Sequence, residues 1–183
     1  MAKVLVPLAG GCEELEAVTI IDLLRRAGIE VVTAGLQPGI VKASRGTQLL
    51  PDATLDAVLR VEFDMIVLPG GMPGAQHLRE DPRIIALLKK MAEQGKYTAA
   101  ICAAPTVLAE AGLLVGKRVT SYPGFLDKLD VPGMAYLKDA VVKDGKILTS
   151  RGPGTAMDFA LALIEALAGK ARRDEVEAGL VRP

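Results

Sequence analysis

Short apolar runs of strand length alternate with helix-patterned segments along nearly the whole chain, and this alternation limits the fold more than any other feature. Lys3–Leu8 (KVLVPL), 63–68 (FDMIVL) and Tyr97–Ile101 (YTAAI) are apolar over most of their length, the pattern of strands covered on both faces. Residues 30–34 and 118–121 read as further strands. Residues 140–149 read as a hairpin turning at Asp144-Gly145, and 39–50 as a small ribbon turning near Arg45-Gly46. Helices are predicted over 13–27, 82–94, 105–111, 155–168 and 172–180, the first ending at Gly28 and the third at Gly112. Strands apolar on both faces between amphipathic helices predict an α/β fold with a mostly parallel sheet between helical layers. No linker, repeat or low-complexity stretch divides residues 1–183, so one domain is expected.

Composition removes several functional classes. The 183 residues carry 22 basic and 22 acidic side chains, a length expected to bury roughly 70% of the unfolded chain's surface. Zero net charge offers no field for phosphate backbones, and 3% aromatic residues without Trp supply few stacking platforms, so nucleic-acid binding is not expected. The apolar segment after Met1-Ala2-Lys3 is too short for a signal peptide, and no later run approaches membrane-spanning length. A cytoplasmic protein is expected. Two cysteines and one histidine make no zinc framework, so no metal or cofactor is expected and both thiols read as free.

In open α/β sheets ligands bind beyond the carboxyl ends of the strands. Here those positions hold Gly10 to Glu16, Pro69-Gly70-Gly71, Cys102, Tyr122-Pro123 and Arg151-Gly152-Pro153-Gly154. The most informative is Ala100-Ile101-Cys102-Ala103-Ala104-Pro105. A strand ends at a nucleophile, Pro105 suits a helix's first turn, and small residues stand two before and two after the sulfur, as a nucleophile elbow requires. A helix N-terminus just downstream would favour a thiolate. Cysteine is also among the residue types most often buried, and the same segment reads equally as plain core. His77, the only histidine, lies in a polar stretch that reads as solvent-facing. Glu13, Glu14 and Glu16 suit the start of a helix, and Glu16, if turned inward, would keep its proton and share it with Cys102.

Taken with Gly11-Cys12-Glu13-Glu14-Leu15-Glu16-Ala17, Ser44-Arg45-Gly46, Val67 to Gly71, Ala99 to Thr106 and Leu148 to Thr155, in order, the chain resembles the ThiJ/PfpI superfamily. The likeness is to its parkinsonism-associated (DJ-one) branch with bacterial YajL-like members. It implies a flavodoxin-like three-layer sandwich, class I glutamine amidotransferase-like, that forms a homodimer. It implies Cys102 as nucleophile, Glu16 as the protonated partner and the Gly71 and Ala103 amides as oxyanion donors. Gly70, Tyr122, Arg45, Gly152 and Pro153 become pocket neighbours, with Arg45 reaching across the dimer. Many relatives carry a histidine where this chain has Tyr122, though YajL-like members lack it too. The implied activity is a protein or nucleotide deglycase or a glyoxalase-like hydrolase acting on methylglyoxal or glyoxal adducts. A redox-sensing holdase chaperone is the alternative, and a thiamin-biosynthesis or amidotransferase-like role the lesser one.

Overall fold

The computed structural model describes residues 1–182. Strand β1 (Lys3–Leu8) leads into α1 (Glu14–Arg26), and β2 (Glu30–Gly35) follows. A ribbon of β3 (Val41–Lys42) and β4 (Gln48–Leu49) precedes β5 (Ala53–Thr54), the one-turn α2 (Leu55–Val58) and β6 (Met65–Leu68). Then come α3 (Gly74–Glu80), α4 (Pro82–Glu93), β7 (Tyr97–Ile101) and α5 (Pro105–Glu110). The chain continues through β8 (Arg118–Val119), β9 (Ala135–Tyr136), β10 (Val141–Asp144) and β11 (Ile147–Ser150). Helices α6 (Ala156–Ala168) and α7 (Lys170–Ala178) complete it.

Seven strands form one sheet in the order β10-β11-β7-β6-β1-β2-β5, parallel throughout except for the β10–β11 hairpin. The expected α/β sandwich with a mostly parallel sheet is what the chain adopts. The order reverses direction at β1, with β2 on one side and β6 on the other. The crevice beyond the carboxyl ends of β1 and β6 is therefore the topological switch point.

Alternation along the strands feeds two cores. Val4, Val6, Met65, Val67, Ala99 and Ile101 point to the face covered by α1 and α6, where Ile20, Leu24, Phe159 and Ile164 are fully buried. Leu5, Ile66, Leu68 and Ala100 point to the opposite face, against Leu78, Ile84, Leu88 and Val107. Period-two geometry makes the largely apolar strands necessary, because each must satisfy both faces. Helix α1 ends where Gly28 was expected to stop it. The Ile29 N–H donates to the Leu24 carbonyl and the Gly28 N–H to that of Arg25, a Schellman closure that needs the positive φ of Gly28 (73°).

Three segments depart from the expected pattern. Residues 74–80 form a helix although their polarity suggests a loop; only Gly74, Ala75 and Leu78 face inward. The strand expected over 118–121 is just Arg118–Val119, and it pairs with β9 outside the main sheet. The Thr120 N–H instead donates to the Thr149 hydroxyl at 2.9 Å, so a side chain takes the place of a ladder bond. The two-residue β5, too short to carry a periodic signal, adds a parallel edge to β2.

Phe159 is 0% exposed where α6 packs on α1 and the sheet. Replacing it with alanine removes a ring that the surrounding core cannot collapse to replace. Phe159→Ala is expected to lower unfolding free energy by about 3–5 kcal/mol, read from urea denaturation midpoints.

Candidate active site

Three turns meet at the switch point. The residues after β1 interlock with those after β6, as the Glu13 N–H donates to the Gly70 carbonyl at 2.9 Å. A side chain on Gly71 would stand 2.4 Å from the Glu13 nitrogen, and Gly71 has a φ of 84°, so only glycine fits there. The third turn is the segment after β7.

Cys102 has a φ of 64°, a left-handed conformation that β-carbon-bearing residues adopt only under constraint. The constraint is visible. The Cys102 N–H donates to the Ser150 carbonyl at 3.0 Å, its own carbonyl accepts from the Tyr122 N–H at 2.9 Å, and the Ala104 N–H donates to Ile101 at 3.0 Å. Ala100 and Ala104 are fully buried on either side, as an elbow requires. The backbone N–H groups of Gly71 and Ala103 lie near the sulfur and act to lower its pKa.

Glu16, in the first turn of α1, is 0% exposed and turned toward this elbow. Its Oε2 accepts from the Gly70 N–H at 2.8 Å, and its carboxyl group lies beside the Cys102 side chain across Gly70. The other oxygen, Oε1, is buried with no further partner. Gly70 is wedged between the two side chains: a β-carbon there would lie 2.6 Å from Cys102 Cβ and 2.8 Å from Glu16 Oε2. The missing side chain is what lets acid and sulfur meet.

Burial raises the Glu16 carboxyl to about 7, against the Gly70 amide and the Cys102 thiol, which lower it. Burial first, then the charge of an ionised Glu16, push the Cys102 thiol up to about 12. The thiolate expected from a helix N-terminus alone is thus corrected. Helix α5 has only six residues and begins three positions after the cysteine, which is itself buried, with 9% of the residue exposed. A proton on Glu16 changes the balance. It removes the buried carboxylate and the repulsion of the sulfur together, and leaves the Gly71 and Ala103 amides in favour of the thiolate. The two groups titrate as a pair, so the proton on one sets the charge the other can carry.

The other expected residues lie at varied distances from this centre. Tyr122 is half exposed; besides its backbone bond to Cys102, its ring borders Gly152, where a β-carbon would come within 3.1 Å of Cδ2. Pro153 begins the single turn that follows Gly152. Arg45 sits on the exposed tip of the β3–β4 ribbon, and only its backbone N–H is engaged, by Glu14 at 2.9 Å. Within one chain its guanidinium does not join the site. His77 pairs with Gly10 and not with Cys102. Among the described residues no cluster of His, Cys, Asp and Glu could hold a metal ion.

Two contributors escape sequence reasoning. Ser150 supplies the carbonyl that holds the elbow, a role independent of its side chain. Glu14 clamps the ribbon through the Arg45 and Thr47 N–H groups and the Ser44 hydroxyl. Burial pushes its carboxyl up, but these bonds together bring it down to about 2. An S/T/D/E scan near the helix start finds Glu14 only as a dipole partner.

The family model described as DJ-1/PfpI matches residues 2–166. The chain belongs to the DJ-1/PfpI family. It is 50% identical over 179 residues to Protein dj-1beta of Drosophila melanogaster, covering 97% of this chain and 95% of that one. It is 43% identical over 157 residues to the Caenorhabditis elegans protein named glutathione-independent glyoxalase DJR-1.2, covering 86% and 83%. The crystal structure of Drosophila DJ-1beta superposes with a TM-score of 0.95 at 48% identity, covering 100% of this chain and 98% of that one. An oxidized Toxoplasma gondii DJ-1 gives 0.94 at 45%, covering 99% and 98%.

The location of the shared proton is directly testable. Glutamine at position 16 cannot ionise but retains a donor beside the sulfur. If Glu16 rests protonated, Glu16→Gln moves the midpoint of Cys102 alkylation against pH by less than about one pKa unit, worth ~1.4 kcal/mol. A larger shift in either direction places the proton elsewhere.

Proposed function

We propose that this chain is a cofactor-independent, cysteine-dependent hydrolase of small 1,2-dicarbonyl compounds, of the methylglyoxal class. One observation carries the reading: a strained, nearly buried cysteine faces two backbone N–H donors and a buried carboxyl group that holds a proton near neutral pH. The glyoxalase name of the nematode relative supports the same class of substrate.

The residues allow a balanced sequence of steps. The Cys102 sulfur attacks the aldehyde carbon, and the resulting oxyanion is held by the Gly71 and Ala103 N–H groups, whose value rises as charge develops. Glu16 donates its proton to that oxygen and so becomes a base. As a carboxylate it takes the hydrogen from the former aldehyde carbon as a proton, the proton on the first oxygen passes to the neighbouring carbonyl oxygen to leave an enediolate, and Glu16 then returns its proton to the second carbon. The first carbon is oxidised to a thioester and the second reduced to a carbinol, so no external oxidant is needed. Water then cleaves the thioester, releasing a 2-hydroxy acid and restoring the thiol. Glu16 would be the only side-chain base at the sulfur, since His77 is held by Gly10.

The 9% exposure of Cys102 favours small aldehydes over the bulky adducts of a protein or nucleotide deglycase. It also weighs against fast oxidation, on which a redox-sensing chaperone depends, although the amides on the sulfur would equally hold a sulfinate. The amidotransferase-like role has no feature here to support it. Wild type is expected to convert methylglyoxal to lactate while Cys102→Ser does so at least about a hundredfold more slowly, ~2.7 kcal/mol in barrier. Preformed protein adduct, freed of aldehyde, should persist with both. Equal rates with methylglyoxal would end the glyoxalase reading, and Cys102-dependent loss of the purified adduct would replace it with deglycation.

We further infer that the functional unit is one ThiJ/PfpI-type domain, residues 1–183, acting as a homodimer in the cytoplasm. Leu15 and Val18 stand half exposed one turn apart on α1, and Arg45 projects from the nearby ribbon that Glu14 holds. Such a pair of apolar side chains on one helix face suits a second copy of the same face. No helix among the described residues is long and apolar enough to cross a membrane. The likeness to bacterial YajL-like members rests on the shared motifs and is not opposed by Tyr122, while the relatives named above are eukaryotic. Sedimentation at micromolar concentration should give the dimer mass for wild type and the monomer mass for Leu15→Glu/Val18→Glu. A wild-type monomer would overturn the inference.

A further inference from the structure

A cleft of about 670 Å³ opens beside β1 and β2, and none of the Cys102 site residues lines it. Its walls come from the segment after β2, the first residue pair of the β3–β4 ribbon, and the junction of α3 with α4. Leu36, Pro38, Ile40 and Pro82 give it an apolar lining, and Ile40 is left mostly exposed at 63%. An isoleucine with no packing partner at the mouth of a cleft of drug-sized volume is the usual form of a small-molecule site.

The polar groups of the cleft divide into satisfied and free. Arg83 is consumed: its Nε and Nη2 donate to Asp81, its Nη1 to Asp56 at 2.8 Å and its Nη2 to the Leu36 carbonyl at 3.0 Å. Glu80 accepts from Gln76 at 2.8 Å. Lys42 makes no ion pair among the described residues, which leaves its ammonium as the cation without an acid in this cleft. His77 Nδ1 lies 2.9 Å from the Gly10 carbonyl oxygen. A carbonyl only accepts, so Nδ1 carries the hydrogen and Nε2 of the neutral ring is an acceptor.

The backbone of Lys42 and the ring of His77 are held by neighbouring residues of one turn, and both residues line the cleft. The Lys42 carbonyl accepts from the Gly11 N–H at 2.8 Å, while the imidazole holds the neighbouring Gly10 carbonyl. Gly10 lines the cleft, and a β-carbon built on it meets nothing within 4 Å, so there is open room beside the imidazole.

We propose that this cleft binds a small carboxylate with an apolar body, its carboxylate on the Lys42 ammonium beside His77 and its body against Leu36, Pro38, Ile40 and Pro82. A carboxylate matches the unpaired ammonium, and an apolar chain matches the exposed Ile40. The assignment is independent of the chemistry at Cys102.

Octanoate and its uncharged counterpart octanamide are the probes, titrated into full-length protein by heteronuclear NMR. Octanoate is expected to shift the Gly10, Ile40 and His77 resonances saturably. Octanamide, and octanoate with Lys42→Gln, should bind at least about tenfold more weakly, ~1.4 kcal/mol. Ile40→Asp should lose binding. Cys102→Ser should bind octanoate as wild type does, and Lys42→Gln should leave Cys102 alkylation unchanged, which separates this site from the proposed reaction. Equal binding of the two probes, an unaltered affinity in Lys42→Gln, or no saturable shift of those three residues by about 10 mM would overturn the proposal.

Discussion

The contact between the Glu16 carboxyl group and the Gly70 N–H, with Cys102 beside it, is the constraint on which the rest depends. It joins the first turn of α1 to the end of β6 and to the elbow after β7, three elements far apart in the chain. A buried carboxylate with one oxygen unpartnered is costly, whereas a carboxylic acid at the same place is tolerable. Protonation is therefore the structural solution as well as the chemical one. The acid that satisfies the core is the acid that leaves its neighbour free to carry charge.

That economy explains the glycines around the site. Gly70 keeps the wedge between acid and sulfur open, and Gly71 lets the turn after β6 lie against the backbone of the turn after β1. Neither position tolerates a β-carbon, because the atoms it would meet are backbone or the reacting groups themselves. The strain at Cys102 is held by hydrogen bonds to two further segments, at Ser150 and Tyr122. The geometry around Cys102 is thus spread over five segments at the carboxyl ends of the strands, and the parallel sheet keeps them in register.

The same end of the sheet carries a second, chemically different opening. At the Cys102 crevice the polar groups are buried and face one another, with Glu16 Oε1 left without a partner. At the cleft beside Ile40 the reverse holds: an ammonium and an imidazole nitrogen are free, and the walls are apolar. The turn from Gly10 to Glu13 stands between the two. It gives Gly10 to one and packs Glu13 against Gly70 for the other.

Much of this was legible along the chain. Largely apolar runs implied strands buried on both faces, Gly28 implied where α1 stops, and small residues around Cys102 implied an elbow, because each of these is a local requirement of backbone and burial. The inward turn of Glu16 could be suspected but not decided, since α1 carries acids at 14 and 16 that look alike until the sheet assigns one to the core and one to the ribbon. Polar residues 76–80 concealed α3, whose helix is held by only one narrow buried face. The ionisation of Cys102 was misread from the helix that follows it. Burial and a neighbouring acid govern that sulfur, and both arise from segments remote in sequence. The amino-acid order by itself determined the layers and the turns; only the packed molecule decided which acid, which amides and which carbonyls meet, because those meetings depend on distances between strands that no local pattern contains.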